Sequence, residues 1–140
     1  MHIVDLLIKK HHTRDPFQIA AERGYIIIQC PLYGIRGFYQ YMKRNHIIYL
    51  DESLSYKDAR FVCAHELGHS IMHRGANRIF MDSRTFMVGS RYEREADLFA
   101  SYLLVDDNEL IDLAYCGLTV DQISHELSIP KACVETRLLK

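Results

Sequence analysis

The sequence predicts an α+β domain: a small, mostly antiparallel sheet of three to four strands packed on two chemically loaded helices, with a C-terminal helical region. Three observations carry this. A β-branched and aromatic run, Tyr25 to Cys30, precedes two more strand-like stretches set around a polar turn. A capped helical stretch then carries His65-Glu66-Leu67-Gly68-His69, and an acidic helical stretch with an apolar stripe follows it. At 140 residues, 49% hydrophobic and 25% charged, the chain suits one folded domain and lies outside the range of disordered proteins. Within it, residues 1–105 read as the core and 106–140 as the helical region.

Ile3 to His12 places Ile3, Leu6 and Leu7 at helical spacing, and Asp15-Pro16 supplies an N-cap and N1 pair for a second short helix to about Arg23. Gly24 ends it. Tyr25 to Cys30 starts the sheet, and Pro31 and Gly34 turn the chain. Ile35 to Met42 and His46 to Leu50 flank Lys43-Arg44-Asn45 as a hairpin. Ser55 and Asp58 resemble a capping box, opening an amphipathic helix expected to run to a left-handed Gly75. Thr85-Phe86-Met87 fits a short strand beside the hairpin.

Ser90 can cap the next helix, which reaches about Val105 and is expected to bury Tyr92, Ala96, Phe99, Ala100 and Leu103. Three short helical stretches end near Gly117, near Leu127 and at the C-terminus, with a capping box at Thr119 and Gln122.

Lys plus Arg number 17 against 18 for Asp plus Glu, a formal charge of −1, so there is no global footprint for nucleic acid. No apolar run is long enough for a membrane span, and the N-terminus has no signal-peptide pattern. Cys30, Cys63, Cys116 and Cys133 are scattered without a C-x-x-C pair, which reads as reduced, mostly buried thiols. A cytoplasmic chain is the expectation.

The eight histidines are the compositional anomaly. His65 and His69 stand four apart on a helix, so their side chains leave one face and can reach one ion. Zinc accepts two nitrogens and one carboxylate at about 2.0 to 2.2 Å and keeps a fourth position for water, with Glu66 beside it as general base. The third ligand is sought in Glu93-Arg94-Glu95-Ala96-Asp97. Counting about 100° per residue from Glu93, Asp97, Ala100 and Leu104 share its side, while Glu95 falls near ~200°. This favours Glu93 over Glu95. Asp97 is then placed to accept a hydrogen bond from the far nitrogen of a ligating histidine.

Gly68 and Ala96 are small enough to let the two helices approach. His73 lies eight beyond His65, two short of the metzincin spacing, so it is read as a last-turn histidine facing the helix dipole or supporting a ligand from outside. Tyr92 and His73 are both candidates for an oxyanion donor. The strand His46 to Leu50 is the candidate edge for pairing with a peptide substrate.

HELGH in a helix, then Glu93 to Asp97 as E-x-x-A-D, then Phe99-Ala100 and Leu103-Leu104, resembles the ImmA/IrrE family of small bacterial and phage metallopeptidases. The likeness covers most of the chain, including Arg36-Gly37-Phe38-Tyr39, the hairpin, His73 and a C-terminal region like Leu118 to Leu138. It implies a gluzincin-like site holding one zinc ion, with His65, His69 and Glu93 as ligands and Glu66 catalytic. It also implies a protein substrate, since members cleave or trigger cleavage of helix-turn-helix repressors in mobile elements, prophages or stress responses. One departure is that Val105-Asp106 stands where the family often has Met-Pro. At this length no appended sensor domain is expected.

Two other readings compete. A non-catalytic metallopeptidase-like module would bind a repressor without cutting it, which intact ligands and Glu66 disfavour. A DNA-binding regulator is suggested by the two short helices of Leu118 to Leu138. There Asp121, Glu126 and Glu135 outnumber Lys131 and Arg137, so no direct nucleic-acid contact is expected.

Overall fold

A computed structural model describes residues 1–73, 80–81 and 90–139. The elements run α1 (His2–His11), α2 (Pro16–Glu22), β1 (Ile26–Cys30), β2 (Gly37–Met42), β3 (Asn45–Asp51), α3 (Tyr56–Met72), β4 (Phe80–Met81), α4 (Ser90–Leu104), α5 (Asp107–Tyr115), α6 (Val120–Leu127) and α7 (Lys131–Leu138). The α+β class holds.

The four strands lie in the order β1-β3-β2-β4. β2 pairs antiparallel with both β3 and β4, whereas β1 pairs parallel with β3. This corrects one expectation: the His46 to Leu50 strand is internal, with both its backbone edges already paired, and is not an edge for a substrate. The hairpin turns on Lys43 and Arg44, both with positive φ (50° and 68°), so Asn45 belongs to the strand. Gly75 and Thr85 to Met87 lie outside the described residues, and the strand beside the hairpin is β4.

The local signals acted as expected. Asp15 accepts from the Phe17 N–H with Pro16 at N1, Ser55 accepts from the Asp58 N–H, and Thr119 and Gln122 form a reciprocal capping box. Each start is fixed by a side chain that satisfies an otherwise orphaned donor. In α1 the buried residues are Val4, Leu7 and His11, while Leu6 is exposed. The Ser90 side chain lies outside the described residues.

The core forms where the sheet meets α3. Tyr39, Ile48 and Leu50 from β2 and β3 join Val62, Leu67, Phe99 and Leu103 in one cluster. Gly37 makes the contact close: a Cβ there would stand 2.6 Å from Val62 Cγ1 and 2.7 Å from the Tyr49 carbonyl oxygen. With α4 on its other side, α3 is buried from Phe61 to Ser70 without a break. It is therefore not the amphipathic helix its sequence suggests; a helix enclosed by a sheet and another helix has no solvent face over those turns.

Of the four cysteines, all free, Cys63 and Cys133 are buried, Cys30 is half-buried and Cys116 is exposed. Among the described residues no helix is long and apolar enough to cross a membrane.

Candidate metal centre

α3 and α4 meet along a seam of small residues that sets how near their polar groups come. Ala96 is fully buried, and a Cβ on Gly68 would stand 2.9 Å from Cδ1 and 3.2 Å from Cβ of Phe99. At that separation α4 carries Glu93 to the face of α3 that bears both histidines. Glu93 Oε1 lies 2.6 Å from His69 Nε2, and its Oε2 lies 3.3 Å from His65 Nε2. The two Nε2 atoms are 3.1 Å apart.

Ligand atoms about 2.0 to 2.2 Å from one tetrahedral ion lie roughly 3.3 to 3.6 Å from one another. The observed separations are near that spacing, so an ion asks for sub-ångström movements. Among the described residues, His65, His69 and Glu93 are the group positioned to hold a metal. The structure thus brings Glu93, the residue favoured by the helical wheel over Glu95, against both histidines.

Each histidine is backed from outside. Asp97 Oδ1 lies 2.8 Å from His65 Nδ1. His69 Nδ1 lies 2.8 Å from His73 Nδ1, and His73 Nε2 lies 2.8 Å from Glu95 Oε1. His73 caps the end of α3, its N–H bonding the His69 carbonyl, and its ring packs 4.4 Å from that of Tyr92. With both nitrogens directed at His69 and Glu95, His73 is not oriented as an oxyanion donor. The sequence reading missed Glu95, which is not one of the three converging donors but meets His73.

Electrostatics sort the two metal-facing rings. Burial works against a charge on His65, yet Asp97, Glu93 and Glu66 together outweigh it and hold its pKa well above the ordinary histidine value. On His69 burial prevails over the pull of Glu93, and repulsion from His65 and His73 adds to it, giving a pKa of about 4. Burial alone would raise Glu93, but its hydrogen bonds to the two histidines bring it down to about 2. The two rings are thus pushed in opposite directions, upward where Asp97 adjoins and downward where burial prevails.

Glu66 is wholly buried on α3, near enough for its charge to act on His65. Other histidines have separate partners: His11 Nδ1 lies 2.8 Å from Glu22, and His46 Nδ1 lies 2.6 Å from the Tyr39 hydroxyl.

A peptidase family model described as the IrrE N-terminal-like domain matches residues 27–139. The chain belongs to the ImmA/IrrE family. Two relatives bear on it. "Uncharacterized immunity region protein 2" of Bacillus phage phi105 is 38% identical over 128 residues, covering 91% of this chain and 81% of that protein. "Metallopeptidase ImmA" of Bacillus subtilis strain 168 is 29% identical over 141 residues, covering 98% and 82% respectively. Membership in a metallopeptidase family implies a metal, and in this ImmA/IrrE chain the donor set that fits one is His65, His69 and Glu93.

Proposed function

We propose that this ImmA/IrrE chain is a cytoplasmic zinc-dependent endopeptidase whose substrate is a helix-turn-helix transcriptional repressor of a mobile element, prophage or stress response. The observation that carries the reading is the convergence of two imidazole nitrogens and one carboxylate on a single point beside a buried glutamate. The immunity-region name of the phage relative supports the repressor context.

In this reading His65, His69 and Glu93 would hold the ion, which would supply Lewis acidity to a carbonyl oxygen and to an attacking water. Glu66 takes the proton of that water and passes it to the leaving nitrogen, so no covalent acyl-enzyme forms. Asp97 and His73 keep the two imidazoles in the orientation and tautomer that ligation needs. Residues 1–105 supply this machinery, and 106–140 brace the end of α4.

The test is incubation of the purified chain, with and without zinc, with a candidate helix-turn-helix repressor, comparing wild type with Glu66→Gln. Cleavage by wild type alone, abolished by chelation, is the expected result. Equal relief of repression by both proteins in cells would support a binding module without catalysis and end the peptidase reading. The DNA-binding alternative draws no support from α6 and α7: Arg137 is turned inward, and Lys131 Nζ lies 3.1 Å from Asp121.

A further inference from the structure

We propose that Glu95 and His73 form a positioning relay that fixes the tautomer of His69 and so its readiness to bind metal. This rests on the reading of His65, His69 and Glu93 as ligands and deepens it. A neutral imidazole has one N–H donor and one bare acceptor nitrogen, so a chain of two rings ending on a carboxylate has few consistent proton arrangements.

To offer a lone pair at Nε2, His69 must carry its proton at Nδ1. That N–H donates across 2.8 Å to His73 Nδ1, which must therefore be bare. The His73 proton then sits at Nε2 and donates across 2.8 Å to Glu95 Oε1, where a carboxylate accepts. Reversing the direction places a proton on His69 Nε2 and blocks the ligand position. The carboxylate at the far end selects the productive direction.

The geometry holds the outer members in place. His73 is buried and anchored through its N–H to the His69 carbonyl, with the Tyr92 ring packed against it. Glu95 is 40% exposed, with Arg91 Nε at 3.5 Å one turn earlier on α4. The centre is thereby asymmetric: His65 meets its carboxylate, Asp97, directly, while His69 meets Glu95 through a second ring.

The first arm of the test is nitrogen-15 NMR of the imidazoles in the zinc-loaded full chain. The relay requires His69 protonated at Nδ1, and His73 protonated at Nε2 and bare at Nδ1. A His73 protonated at Nδ1, or at both nitrogens, overturns it. The second arm measures zinc affinity by chelator competition. Glu95→Ala should weaken binding roughly ten- to hundredfold, and Glu95→Gln, which keeps an acceptor oxygen, should recover most of the loss. A folded Glu95→Ala protein with wild-type affinity, or a Gln variant as weak as Ala, overturns the relay alone. A wild-type chain that takes up no zinc overturns the ligand reading and the relay with it.

Discussion

Asp97 Oδ1 stands 2.8 Å from Nδ1 of His65, while the other nitrogen of that ring faces His69 Nε2 at 3.1 Å. The contact joins α3 to α4 one turn beyond Glu93, so a single helix supplies both the third donor and the support of the first. A carboxylate on Nδ1 holds the proton there, leaves Nε2 as the donor atom and raises its basicity.

Removing that support should weaken the site without unfolding the chain, because the Asp97 side chain is one-third exposed. Asp97→Ala is expected to lower zinc affinity roughly ten- to hundredfold, and Asp97→Asn, which keeps an acceptor, by less. Chelator competition checks this. Wild-type affinity in a folded Ala variant would reduce Asp97 to a solvated helix charge.

Metal uptake should depend on pH through one residue. Ligands bind only when deprotonated, and with pKa values of about 4 and about 2, His69 and Glu93 have lost their protons above about pH 5. His65, held well above the usual histidine value, keeps its proton to higher pH than an ordinary imidazole. Zinc must displace it. Apparent affinity should therefore rise about tenfold per pH unit from about pH 5 until His65 titrates, with one proton released per ion. Calorimetry in buffers of different ionisation enthalpy counts that proton, and a pH-independent affinity between pH 5 and 7 would contradict it.

How much of this was legible in the sequence follows from the range of each interaction. Caps at Asp15, Ser55 and Thr119 act within three residues, and their residue types announce them. His65, Glu66 and His69 share one helix, so their spacing carried their arrangement, and one turn of α4 related Glu93 to Asp97. What failed was non-local. Nothing within Tyr25 to Cys30 says that it pairs parallel with β3, and that pairing is what turns His46 to Leu50 from an edge into the middle of the sheet. Likewise, Glu95 meets His73 across the α3–α4 seam, so its role is invisible in a wheel drawn for α4 alone.

Gly68 tests that seam. A methyl group there meets Phe99 at 2.9 to 3.2 Å, and because the contact includes Cβ, rotation of the ring cannot relieve it. Gly68→Ala is expected to push α4 outward, with a loss of about 1 to 3 kcal/mol in denaturant unfolding. Glu93 moves with α4, so zinc affinity should fall as well. An Ala variant with unchanged stability and affinity would mean that the helices are not in tight contact at this point.

The C-terminal end of α4 is held by two arginines that the sequence does not mark. Arg14, before α2, donates from Nη1 to the Tyr102 and Leu103 carbonyls at 3.0 and 3.1 Å. Arg137 of α7 donates to those of Ser101 and Val105 at 2.6 and 2.8 Å and reaches Asp107 at 2.9 Å, with its guanidinium 4.2 Å from the Tyr102 ring. Helix ends leave carbonyls without intrahelical donors, and a cation there also complements the helix dipole. Arg137 is buried, so truncating it strips the Val105 carbonyl of a donor where water cannot easily reach, while the Ser101 carbonyl keeps the Val105 N–H. Arg137→Met, which keeps the aliphatic stem but no donors, should lose about 2 to 4 kcal/mol in denaturant unfolding, more than Arg14→Met at its half-buried site. If Arg137→Met unfolds like wild type, α7 does not secure the helix that carries Glu93, and the C-terminal region must serve some purpose other than bracing the centre.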